Sequence, residues 1–87
     1  MKMQDVTASM IVDYFIGDCL LADNFVKYQA AEIYKVYEAY CEQTGIGVPG
    51  GVRFFGGCMR KRFRRTMRQG RVYYYCEYKP GLFDVTT

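Results

Sequence analysis

Residues 51–78 read GVRFFGGCMRKRFRRTMRQGRVYYYCEY, and the apolar period changes inside this stretch. Val52, Phe55, Met59 and Phe63 are spaced three, four and four, which is one face of a helix over about 51–63. Arg53, Gly57, Arg60, Lys61 and Arg64 fall on the opposite side of that helix. Beyond Phe63 the pattern alternates. Val72, Tyr74, Cys76 and Tyr78 share one face of a strand, and Tyr73, Tyr75 and Glu77 share the other. Gln69-Gly70 separates residues 64–68 from 71–78, which predicts a hairpin with a two-residue turn and Gly supplying positive φ. Gly56-Gly57 lies in mid-helix at a cost of about 1 kcal/mol each relative to Ala, so close approach to a neighbour or to a phosphate is expected there.

Upstream, residues 29–43 form the clearest helix, with Ile33, Tyr37, Tyr40, Cys41 and Thr44 on one face and Tyr34 beside it. Tyr34, Tyr37 and Tyr40 at this spacing read as core. Gly45 is the stop signal. Residues 46–51 are then a tight connector, too short to link domains. A first helix over about 7–21 carries Ala8, Val12, Phe15, Ile16 and Cys19 as its stripe, and Thr7 or Ser9 can cap it. Ala22-Asp23-Asn24 reads as a turn, and Phe25-Val26-Lys27-Tyr28 as a brief edge strand or a connector. Residues 1–8 and 82–87 read as frayed tails. The expected fold is mostly α with a small β wing, an α+β winged helix-turn-helix. It comprises three helices and a C-terminal β-hairpin in a single domain, 1–87.

The whole composition fits a small core built on aromatics. The chain has 87 residues, 51% hydrophobic, with nine Tyr and six Phe, which excludes a polar disordered tail. Histidine is absent, which removes the usual general base and the commonest metal ligand. There is no phosphate loop and no acid pair at a cleft signal, so neither an enzyme nor a cofactor is expected. Cys19, Cys41, Cys58 and Cys76 contain no C-x-x-C pair and sit in apolar runs. They read as buried, reduced, metal-free thiols, with two disulfides as the competing reading. The start of the chain lacks a signal-peptide pattern and no apolar run spans a bilayer. A cytoplasmic protein without membrane contact is expected.

Charge carries the functional signal. Residues 1–45 hold three Lys against seven acids, and residues 46–87 hold nine Lys or Arg against two acids. Between Arg53 and Arg71 lie Arg53, Arg60, Lys61, Arg62, Arg64, Arg65, Arg68 and Arg71, with no acid among them. A one-signed, Arg-dominated strip suits phosphate and guanine contacts, whereas a solvated face mixes both signs. The expected DNA-binding residues are Arg53, Gly57, Arg60, Lys61 and Arg64 with the third helix, and Arg65, Arg68 and Arg71 on the wing. These are expected to converge on one surface against duplex DNA. Tyr73-Tyr74-Tyr75 has two readings, a half-buried strand or rings offered for stacking on bases.

Ile33-Tyr34-Lys35-Val36-Tyr37-Glu38-Ala39-Tyr40-Cys41-Glu42-Gln43-Thr44-Gly45, then Phe55-Gly56-x-x-Met59 and a basic strand pair ending in Tyr73-Tyr74-Tyr75, form a connected pattern over about 12–79. This pattern resembles the C-terminal winged-helix domain of phage, plasmid and poxvirus-type primase-helicases. The resemblance implies DNA binding beside a superfamily 3 helicase motor in a mobile-element replication protein, with a helicase or primase domain as partner. The double glycine and the long aromatic run depart from the family's pattern. Two other readings compete. In one, the acids Asp13, Asp18, Asp23, Glu32 and Glu38, or the aromatic wing, dock a protein partner. In the other, the chain is a small free-standing phage or plasmid transcription regulator or an excisionase-like architectural protein.

Overall fold

The computed structural model describes residues 7–80, so the expected tails at 1–6 and 82–87 lie outside the described residues. The elements run α1 (Ala8–Cys19), β1 (Leu20–Gln29), α2 (Ala30–Thr44), α3 (Val52–Arg62), β2 (Arg65–Arg68) and β3 (Arg71–Tyr78). The fold is α+β: three helices and a three-stranded antiparallel sheet of order β1-β3-β2. The hairpin therefore does not stand alone as a two-stranded wing, because β1 pairs along the far side of β3.

Each boundary has a local cause. Thr7 caps α1 by accepting the Met10 N–H on its hydroxyl, so Thr7 and Ala8 belong to the helix and not to a frayed tail. Residue 20 is already extended, which ends α1 at Cys19 and not at Leu21. α2 ends on Gly45 in the left-handed region, φ 67°, as the glycine signal implies. α3 stops at Arg62, and Phe63 is extended, φ −135°. Arg64 consequently precedes β2 and is not on the helix. In the hairpin both Gln69 (φ 55°) and Gly70 (φ 77°) have positive φ, the signature of a type I′ turn.

β1 resolves the open reading of residues 22–28. Ala22 pairs with Cys76 and Lys27 with Tyr75, so Asp23, Asn24, Phe25 and Val26 bulge out of the ladder. The Asp23 carboxylate holds the bulge by accepting the Phe25 and Val26 N–H groups at 2.7 and 2.6 Å. Those bonds hold the carboxyl below its usual pKa. Four residues is an even insertion, so strand alternation survives it.

The helices cover one face of the sheet. Phe15 is fully buried and meets Tyr37, Tyr40 and Phe55 at centroid distances of 5.3, 5.4 and 6.0 Å, and Tyr37 stacks on Phe55 at 4.7 Å. Tyr74 and Cys76 bring β3 into the same cluster. Buried phenols need hydrogen bonds, and each finds one. Tyr40 donates to Asp18 and Tyr74 to the Gly56 carbonyl. Tyr34 donates to the Gly50 carbonyl at 2.6 Å while Tyr37 accepts the Gly50 N–H at 3.5 Å, which fixes the α2–α3 connector from both sides. Three expected core positions differ: Ala8 is exposed at the start of α1, Val52 is 58% exposed, and Thr44 is exposed with its hydroxyl bonded back to the Tyr40 carbonyl.

Candidate nucleic-acid interface

α3 turns Phe55 and Met59 inward, and this rotation alone sends Arg53, Gly57, Arg60 and Lys61 to solvent. β2 runs beside the helix. Its Arg65, paired with Tyr74, has the parity of the helix-side face. Arg53, Gly56, Gly57, Arg60 and Arg65 together line a groove of about 400 Å³, floored by Val52, Val72, Tyr74 and Ala30. No acidic side chain lines it.

The two glycines differ. A Cβ on Gly56 would stand 3.7 Å from the Tyr74 hydroxyl, an ordinary contact. A Cβ on Gly57 would meet nothing within 4 Å. Packing inside the chain therefore gives no reason for Gly57, and its open side faces the arginines of the groove.

The expected single basic surface is divided in two. Arg68 and Arg71 pair across the hairpin end, and Arg68 lines a second hollow of about 350 Å³ with Lys27, Gln69 and Tyr73. Tyr73 and Tyr75 alternate with the buried Tyr74 and Cys76, so this hollow lies on the opposite face of the sheet from α3. Arg64 is also on that side, 4.8 Å from the Tyr75 ring centroid, with Lys27 at 5.8 Å. Arg53, Gly57, Arg60 and Arg65 are thus gathered at the groove. Lys61 sits farther round α3, and Arg64, Arg68 and Arg71 belong to the other face. Residues of opposite parity point to opposite faces of the sheet, so Arg65 cannot share a surface with Arg64, Arg68 and Arg71.

Lys27 was missed because it is a lone cation between apolar and aromatic neighbours, in the half of the chain where acids outnumber lysines. Only the β1–β3 pairing carries it to Tyr75. Arg62 is set apart by its bond to Asp13 at 3.1 Å, the one ion pair among the described residues. All four cysteines are unbonded; Cys19, Cys41 and Cys76 are buried and Cys58 is half-buried. Burial pushes the Cys19 and Cys76 thiols up to about 11. Among the described residues no group of His, Cys, Asp and Glu could hold a metal ion, and no helix is long and apolar enough to cross a membrane. Neither a family model, nor a curated protein, nor a solved structure matches this chain.

Proposed function

We propose that the chain is a winged-helix DNA-binding module that sets α3 in the major groove of duplex DNA. In this reading α2 and α3 form the helix-turn-helix, and the β2–β3 hairpin is the wing beside it. The observation that carries it is the acid-free groove in which Arg53, Arg60 and Arg65 surround the bare backbone of Gly57. A helix about 10–12 Å across fits a major groove about 12 Å wide. Arginine forks suit both phosphates and guanine edges, and a glycine lets a phosphate approach the helix backbone. The element order, with β1 beside β3, is compatible with such a fold.

The resemblance to the C-terminal domain of mobile-element primase-helicases extends this reading. It suggests a replication role in the cytoplasm, next to a helicase or primase partner. The alternative of an acidic docking surface has less support. Of its acids, Asp13 is paired with Arg62, Asp18 accepts from Tyr40, and Asp23 holds the β1 bulge. The free-standing regulator shares the same DNA chemistry.

Fluorescence anisotropy with a labelled duplex tests the proposal. Arg60→Glu with Lys61→Glu is expected to abolish binding while circular dichroism stays unchanged, since both side chains are exposed. In the unmodified chain, log K against log salt should fall by about 0.9 for each phosphate contacted. Unchanged affinity in the folded double variant would sink the assignment of α3.

A further inference from the structure

The outer face of the sheet has a composition that the α3 groove does not need. Residues Arg71, Tyr73 and Tyr75 of β3 point away from the helices by strand parity, opposite the buried Tyr74 and Cys76. Lys27 of β1 and Arg68 of β2 flank Tyr73 from either side, and Gln69 closes the end of the hollow. At the next position along the strand, the Arg64 guanidinium lies over the Tyr75 ring, and Lys27 approaches it from the other side. This acid-free end of the face is therefore a row of rings bordered by cations. The acid that shares the face, Glu77, lies toward the far end. Its carboxylate is engaged there by the Tyr28 hydroxyl at 2.8 Å and the Tyr78 N–H at 2.9 Å.

We propose that this outer face binds single-stranded nucleic acid, with one base stacked on Tyr73 and its flanking phosphates held by Lys27 and Arg68. The next base along the strand stacks on the Arg64 guanidinium, which Tyr75 supports from below. A duplex does not suit the hollow, because its bases are stacked on one another and present no free face. A single strand offers both the base face that the rings match and the phosphates that the cations match. An acidic protein would satisfy the cations but leave the aromatic floor without a partner. The surface lies on the opposite side of the sheet from the α3 groove. The proposal therefore stands or falls separately from duplex binding.

The probe is a fluorescein-labelled oligothymidylate of about 12 nucleotides, within the site sizes such surfaces take. Tyr73→Ala is expected to weaken its binding at least about fivefold, the loss of one stacked base. Tyr73→Phe should keep the affinity, because the stacking ring remains. Tyr73 is half-buried, so a second variant guards against misfolding. Lys27→Gln with Arg68→Gln should lower the salt slope by up to about 1.4 at unchanged circular dichroism, about 0.7 for each phosphate lost. Arg53→Ala with Arg60→Ala should leave oligothymidylate binding in place while weakening the duplex. The proposal is overturned if the strand is lost with the α3 variants and retained with the sheet variants, since the strand then occupies the groove. Binding that responds to the charge change but not to Tyr73→Ala in a folded protein overturns the stacking. No binding of the strand at low salt overturns the proposal outright and leaves an acidic protein as the occupant of this face.

Discussion

Gly57 concentrates the problem at the scale of single residues. Glycine in an exposed helix interior forfeits about 1 kcal/mol relative to alanine. Gly45 and Gly70 lie outside helices at positive φ, where glycine is favoured, but Gly57 is helical and open on its outer side. Gly57→Ala is therefore expected to raise stability by up to about 1 kcal/mol in urea unfolding. If a phosphate approaches the helix backbone here, the same methyl weakens duplex binding. Increased stability with decreased affinity is the expected pair of results, and increased stability with unchanged affinity would remove Gly57 from the interface. The need for a reason at Gly56-Gly57 was legible in the sequence. The helical period already set Gly57 on the outward side with the arginines; hidden was that a Cβ on Gly56 would stand 3.7 Å from the Tyr74 hydroxyl, because Tyr74 arrives from a strand far along the chain. The Tyr34 and Tyr37 bonds to Gly50 were hidden for the same reason. Their spacing marks them as core, but a hydroxyl's partner lies outside the period that places its ring.

Among the elements, the hairpin turn is the place where sequence and geometry are least matched. A type I′ turn places both central residues at positive φ, which Gly accepts and Asn tolerates far better than Gln. Gln69 holds φ 55° without such help. Gln69→Asn is expected to stabilise the protein by about 0.5 kcal/mol, read as a higher urea midpoint with an unchanged slope. A lower midpoint would mean that the Gln69 side chain makes a contact worth more than the strain. The three helices and this hairpin were readable because their signals are local: 3.6-residue stripes, Gly45 as a stop, and Gln69-Gly70 between alternating runs. β1 was readable only in pieces. Its bulge at residues 23–26 puts turn-forming Asp23-Asn24 inside a strand, and the Asp23 carboxylate replaces the ladder bonds lost there. The division of the basic strip had the same origin. Composition counts Arg65 and Arg68 together, while strand parity separates them.

The whole molecule divides its charges by task. Asp13, Asp18, Asp23 and Glu77 have partners within the fold, whereas the arginines of the groove and the outer sheet face point to solvent. This division also sets how stability depends on pH. With no histidine in the chain, no side chain has an ordinary pKa between the carboxylates and the thiols, so stability should be flat across about pH 6–8. Above that range the buried core is exposed to linkage. Burial raises Cys19 and Cys76 from 9.0 to about 11, and Tyr37 from 10.0 to about 12. The unfolded chain releases these protons first, so between the two values it binds fewer protons than the folded chain. Stability is then fully present below about pH 9 and falls as pH rises through 9 to 11, with Tyr37 extending the loss toward 12. Asp23 has the opposite sign. Its contribution is present above the usual carboxylate value of 3.8 and is lost as pH falls through its lower folded value. Urea midpoints measured under reducing conditions from about pH 6 to 11 should be level and then decline. Cys76→Ala shifts the midpoint at every pH by removing packed sulfur, but it should also flatten the decline, because one of the buried thiols no longer titrates. An equally steep alkaline loss in that variant would remove Cys76 from the groups that set the decline and leave it to Cys19 and the tyrosines.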